Sequence, residues 1–265
     1  INAKKIHTDA YLQEVSAGGN RYPKAKKDFV DAIELGALVV DYYGHGGEYG
    51  FAQERLYEIN EAVNLNNFDN LPLFITMTCD FSRFDNPYLQ TGGEFTFWNP
   101  KGGAISLVTT TRLIGVTSAS NINDDFNFYL YENSNTNNPL NSIGEALRKA
   151  KNGTTSPDRR VVFNIGDPAL MLAIPRPKVV LTKINDVDVS QPTDVLNALS
   201  YVKLTGEVRN VFDNLQSNYN GDLAVQIFDK NIQRQTLGND GVTNGAGNLI
   251  LMDFTTLGET IFRGN

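Results

Sequence analysis

Two short apolar runs, each leading into a reactive residue, constrain this chain more than any other feature of it. Ala37-Leu38-Val39-Val40-Asp41-Tyr42-Tyr43 and Pro72-Leu73-Phe74-Ile75-Thr76-Met77-Thr78 are rich in β-branched and aromatic side chains and bounded by polar or turn residues, which predicts buried strands. The first runs into Gly44-His45-Gly46-Gly47, the second into Cys79-Asp80-Phe81. Between them, Glu48 to Asn70 is mostly polar with periodic apolar points at Phe51, Leu56, Tyr57, Ile59 and Val63, so it reads as a crossover holding a short helix. A crossover joins parallel strands. His45 and Cys79 would then emerge at one carboxyl edge, where open α/β folds place their active sites. A thiolate beside an imidazole is the minimum apparatus for covalent acyl transfer.

The flanking segments support the same class. Arg21 to Leu35 has a helical pattern, with Pro23 in the first turn, Phe29, Val30 and Ile33 as an apolar stripe, and Gly36 at the stop position. A short helix is expected within Thr91–Asn99 and a third buried strand over Ala104–Thr109. Ser120–Glu132 reads as a helix with Asp124 and Asp125 early, where they complement its dipole. Ser142–Lys151 carries a capping box, Ser142 with Glu145. Val161-Val162-Phe163 and Leu170-Met171-Leu172 flank Gly166-Asp167-Pro168 and close the unit near Ile174. The expected fold is α/β, a mainly parallel sheet with flanking helices over residues 1–175. Three clear strands are few for such a sheet, so further strands are expected to precede Ile1.

Pro175-Arg176-Pro177 reads as a stiff linker. Beyond it the period changes to two over Val179–Ile184, Tyr201–Val208, Leu223–Phe228 and Leu249–Phe254, between Asn, Asp and Gly turns. Residues 178–265 are expected to form an immunoglobulin-like β-sandwich. The visible strands fall short of the usual count of about seven, and none closes the domain at Arg263-Gly264-Asn265, so a truncated sandwich is expected.

The 265 residues carry a net charge of −7 with no long basic tract, which excludes nucleic acid as a partner. No apolar run approaches the roughly 20 residues of a membrane span. Ile1-Asn2-Ala3-Lys4-Lys5 lacks an initiator Met and the apolar core of a signal peptide, so an internal piece or mature fragment is expected. The single cysteine excludes an internal disulfide framework. One cysteine and two histidines fit no zinc spacing, and the Asp-rich pieces at 121–125 and 239–241 fall short of a calcium loop, so no metal or cofactor is expected.

His45 precedes Cys79 by 34 residues, giving the order base then nucleophile. Gly44 and Gly46 let the backbone turn sharply and approach a substrate, so the Gly46 amide can join the Cys79 amide as an oxyanion hole. Gly47, Asp80 and Arg112 are the candidate substrate contacts, Asp80 and Arg112 being alternatively an ordinary ion pair. Asp41, four residues before His45, could orient the imidazole, cap the sheet edge or meet Arg55. Glu48 and Glu54 read as solvated charges and His7 as a surface residue. The bland alternative makes Cys79 a buried small hydrophobe and His45 a turn residue.

At these residues the chain resembles the gingipain-type cysteine peptidases, whose catalytic domain is caspase-like. Tyr42-Tyr43-Gly44-His45-Gly46-Gly47 is similar to that family's histidine motif and Thr76-Met77-Thr78-Cys79 to its nucleophile strand. A closer resemblance is to the family's sortase branch, which serves the type IX secretion system. Arg21-Tyr22-Pro23, Gln53-Glu54-Arg55, Thr78-Cys79-Asp80-Phe81-Ser82-Arg83-Phe84-Asp85, Lys101-Gly102-Gly103-Ala104 and Gly166-Asp167-Pro168-Ala169-Leu170 carry it. The resemblance implies part of a caspase-like sheet, with His45 as base and Cys79 as nucleophile. It also implies cargo proteins that lose a carboxy-terminal sorting domain at the extracellular face of the bacterial outer membrane. The acyl group then passes to an amine on anionic lipopolysaccharide, alongside other outer-membrane components of the secretion system. Plain gingipain-like hydrolysis and a non-catalytic secretion scaffold are the alternatives. The acidic third catalytic residue that gingipains carry upstream of the histidine has no counterpart identified here.

Overall fold

The computed structural model describes residues 3–192, 196–197 and 199–264. Its centre is a four-stranded sheet of β1 (Val39–Tyr43), β2 (Leu73–Met77), β3 (Ser106–Thr110) and β4 (Val162–Ile165), in that spatial order. The first two joins are parallel and the last is antiparallel. β2 and β3 are buried at every position, as expected for strands covered on both faces. Val40, Phe74 and Leu107 face one layer, while Leu73, Ile75, Met77 and Val108 face the other. Burying a side chain such as Phe74 or Ile75 contributes about 1.5–3 kcal/mol. A one-residue slip would exchange the two faces, so the register is firmly specified.

The first face is covered by α1 (Pro23–Glu34), α2 (Ile59–Asn64) and α3 (Gly92–Trp98). α1 buries Ala25, Phe29 and Ile33 at four-residue spacing and stops at Gly36, whose φ of +102° suits glycine. α3 starts at Thr91, which forms a reciprocal capping box with Glu94. The second face is covered by α4 (Val116–Tyr131) and α5 (Ile143–Gly153). α4 begins after Gly115, so Asp124 and Asp125 fall in its middle and do not serve its first turn. Ser142 accepts from the Glu145 amide at 3.2 Å, but the Glu145 carboxylate turns to Arg148 at 2.7 Å, leaving the expected box half made. Leu170–Leu172 is not a strand, although Leu172 is buried against this layer.

The expected crossover holds more than a helix. Gly46–Gly47, Gly50–Phe51 and Tyr57–Glu58 form a small antiparallel sheet before α2. After Ile174 the described residues form antiparallel β structure in three separate sheets. Lys178–Ile184 pairs with Val187–Asp188 and Leu204–Arg209, Val225–Phe228 with Thr260–Gly264, and Ile232–Gln235 with Asp253–Thr256. A strand therefore does form at Thr260–Gly264, where the sequence suggested none; Asn265 lies outside the described residues.

The amino-terminal segment ties this β region to the α/β unit. The Asp9 carboxylate accepts from the Gly238 and Asn239 amides at 3.0 and 2.6 Å, and its carbonyl accepts from Leu237 at 2.7 Å. His7 is not a free surface residue: its ring meets Phe254 edge-on at 4.8 Å. On the other side, the Tyr11 hydroxyl donates to Asp28 of α1 at 3.2 Å.

Candidate active site

β1 and β2 pair in parallel from Val39↔Leu73 to Tyr43↔Met77. The next residues, Gly44-His45 and Thr78-Cys79, therefore leave adjacent strands at the same level of one carboxyl edge, as the crossover argument requires. Cys79 is half-buried, with Sγ 3.9 Å from the Ile114 carbonyl oxygen, and His45 is exposed. No hydrogen bond joins them among the described residues; free enzymes often hold catalytic pairs apart until substrate closes the site.

The nucleophile strand is anchored on its far side by β3. Thr110 Oγ1 donates to the Thr78 carbonyl, and the Ser82 amide to the Thr110 carbonyl at 3.0 Å. Between them Asp80 takes a left-handed conformation, φ +56°. Such a residue costs roughly 1–2 kcal/mol, and here it turns the chain immediately after Cys79.

The histidine hairpin is held from below. The His45 carbonyl accepts from the Ala52 amide at 2.8 Å and from the Tyr42 hydroxyl at 2.6 Å. The Tyr42 ring stacks on Phe51 with centroids 4.0 Å apart. Burial first, then the nearby Glu54 charge, pushes the Tyr42 phenol well above its ordinary pKa, so it remains a donor across the working range. A Cβ at Gly46 would collide with Thr78 Oγ1, so that glycine lets the hairpin seat on the residue preceding the thiol. The His45–Ala52 bond also sets the ladder's alternation, which turns the Gly46 amide outward from its partner Phe51. That orientation suits an oxyanion donor.

Other expected contacts are rearranged. Asp41 does not orient His45; its carboxylate accepts from Asn123 at 3.1 Å and Asn127 at 2.8 Å, both on α4. Arg112 pairs with Asp85 through two bonds of 2.9 and 2.5 Å, not with Asp80. Asp80 stays near the thiol under the fields of Arg83, Glu48 and Arg112, and burial raises its carboxyl pKa. Glu48 is no solvated charge: it accepts from Asn86 at 2.8 Å, lies 3.6 Å from Arg83, and its carbonyl accepts from the Gly92 amide at 2.7 Å. This tether to α3 had no signal in the sequence beyond a glutamate close to the histidine. A cleft of about 610 Å³ opens along the hairpin, lined by His45, Gly47, Tyr49, Gln53, Arg55 and Glu58.

A thiol and an imidazole leaving neighbouring parallel strands of a helix-covered sheet define a class, the α/β proteins built for cysteine-nucleophile chemistry. Within that class the chain belongs to peptidase family C25, whose sequence model matches residues 1–173. This is the gingipain family of cysteine peptidases. Among solved structures the chain is similar to the complex of Porphyromonas gingivalis RgpB pro- and mature domains. The TM-score there is 0.50 at 18% identity, over 59% of this chain and 40% of that one. It is also similar to the Arg-specific cysteine proteinase gingipain R, at TM-score 0.49 and 17% identity over 59% and 39% of the two chains. Dimeric latent PorU from Porphyromonas gingivalis aligns over 96% of this chain and 21% of its own, at 18% identity and TM-score 0.29. The chain thus spans less than half the length of each of these proteins. No curated protein sequence matches it significantly.

Proposed function

We propose that this chain carries the base and nucleophile of a cysteine endopeptidase acting as a sortase of the type IX secretion system. The observation that carries the reading is the register Tyr43↔Met77, after which the segments bearing His45 and Cys79 leave adjacent parallel strands at one carboxyl edge. His45 takes the Cys79 proton, and the thiolate attacks the carbonyl carbon of a cargo protein's scissile peptide bond. The outward Gly46 amide and the Cys79 amide hold the oxyanion. His45 then protonates the leaving amine, and the sorting domain departs. An amine on anionic lipopolysaccharide attacks the thioester, forming the new amide and returning the thiol. Asp80 and Gly47 flank the bound peptide, and Arg112 fixes the Asp85 turn beside it. The sortase choice over plain hydrolysis rests on the motif set running from Arg21-Tyr22-Pro23 to Gly166-Asp167-Pro168. It assigns the protein to the extracellular face of the outer membrane, with other secretion components as partners and the antiparallel β region as an immunoglobulin-like module trailing the peptidase unit.

The test is covalent labelling of Cys79 by a peptidyl electrophile in the full-length protein and in its His45→Ala variant, followed by product analysis with and without an amine acceptor. Labelling that is fast and depends on His45 is expected, as is a product carrying the acceptor. Slow labelling indifferent to His45 would overturn the dyad. Products insensitive to the acceptor would reduce the reading to hydrolysis.

A further inference from the structure

We propose that Thr78 is a positioning residue for the base: its hydroxyl gives the histidine hairpin a hydrogen-bond partner to close onto when His45 moves to the thiol. This rests on the assignment of His45 and Cys79 made above. Among the described residues, three buried side-chain oxygens have no hydrogen-bond partner, Thr76 Oγ1, Thr78 Oγ1 and Asn164 Oδ1. The Asn164 amide group still donates, to Ser106 Oγ and to the carbonyls of Leu107 and Ile165. The two threonine hydroxyls make no bond. A buried hydroxyl without a partner forfeits its bonds to water, whereas valine of the same shape would fill the place without that loss. At Thr78, 1% exposed, the fold itself has no use for the hydroxyl.

What lies over Thr78 is the hairpin. Gly46 packs so closely that a Cβ there would strike the hydroxyl oxygen and come within 3.2 Å of the γ-methyl. Thr76, the other orphan on this strand, instead pairs with Tyr42 inside the sheet. The end of β2 is fixed, because the Thr78 carbonyl accepts from Thr110 Oγ1. The hairpin is the freer partner, since the bonds that the His45 carbonyl accepts, from the Ala52 amide and the Tyr42 hydroxyl, do not tie it to β2. No hydrogen bond joins His45 to Cys79 among the described residues, and proton transfer needs the two within about 3 Å. The hairpin must therefore shift against β2 before the chemistry. That shift moves the Gly46 α-carbon off the hydroxyl and brings a neighbouring backbone amide or carbonyl onto it. The orphan is then satisfied only in the closed state, and a bond made in one state alone favours that state.

Thr78→Val, Thr78→Ala, Thr78→Ser and Thr76→Val in the full-length protein test this. Saturable labelling of Cys79 by a peptidyl electrophile is read as a maximal rate and a half-saturating concentration, beside the thermal midpoint. Thr78→Val and Thr78→Ala are expected to lower the maximal rate on the order of tenfold with half-saturation unchanged. Thr78→Ser, which keeps the hydroxyl, should restore the rate to within about twofold of wild type. The midpoint of Thr78→Val should not fall, because no bond in the free protein is lost, and Thr76→Val should label as wild type does. Thr78→Ala at the wild-type rate would make the effect of valine one of bulk and overturn the proposal. So would a serine variant as slow as valine, or an equal loss of rate in Thr76→Val. Wild-type labelling indifferent to His45 would overturn the dyad itself, a failure seen without any change at position 78.

Discussion

Removing one hydroxyl at position 42 would isolate what supports the candidate base. Tyr42→Phe keeps the ring stacked on Phe51 and deletes only the 2.6 Å bond to the His45 carbonyl. A neutral hydrogen bond of this kind is worth about 1 kcal/mol, so the thermal midpoint should fall by about 2–4 °C, and kcat should fall by up to roughly fivefold as His45 loses its support, while KM changes little. The pH–rate profile should keep its shape, because the phenol is un-ionised throughout. A drop in midpoint with kcat intact would make Tyr42 merely structural. At this scale the sequence discloses His45 and Cys79 because reactive residue types are so scarce and each follows an apolar run. It does not disclose the Tyr42 bond, the left-handed Asp80 or the Arg112–Asp85 pair. Those depend on how loops from different strands meet, and the Asp41 carboxylate is taken by Asn123 and Asn127 of α4, a contact between elements far apart in the chain.

Elements were legible in proportion to their apolar pattern. β1, β2, β3 and α1 announce themselves through buried runs and a clean stripe. The Gly46–Gly47 ladder does not, since two-residue glycine strands have no alternation to read. α4 begins with Val116-Thr117-Ser118-Ala119-Ser120, whose small polar residues hide its first turn, and Ile232–Gln235 offers one apolar side chain in four. The half-made box at α5 gives a quantitative check. Ser142→Ala should cost about 1 kcal/mol, lowering the thermal midpoint by about 2–4 °C, whereas Glu145→Ala, which loses only an exposed pairing with Arg148, should shift it little. Catalysis should be untouched by either change, because α5 lies across the sheet face from the hairpin. Equal shifts for the two variants would mean the box closes in solution.

For the whole molecule, the segment carrying His7 and Asp9 is one tie between the antiparallel β region and the α/β unit, beside the bond from Arg263 to the Leu35 carbonyl. Burial against Phe254, with the Lys5 charge adding to it, lowers the His7 pKa below its ordinary value of 6.5. The folded state therefore binds this proton less readily than the unfolded chain. Stability from this contact is fully present above about pH 6.5 and is lost as pH falls toward the depressed folded value. Denaturation midpoints followed from pH 7.5 to 5.5 should decline in the wild type and flatten in His7→Gln; parallel slopes would discount the contact. Asp9→Ala, which strips two amides of their acceptor, should loosen the β region at every pH. This clasp joins residues 7–11 to residues 237–254, opposite ends of the described chain. Such a closure costs little more entropy than a shorter one, because loop cost grows only logarithmically. Its cost is one of time. On a ribosome the first-made of these residues must wait, unpaired, until the last-made have emerged, so the sheet carrying His45 and Cys79 assembles before the β region is fastened to it.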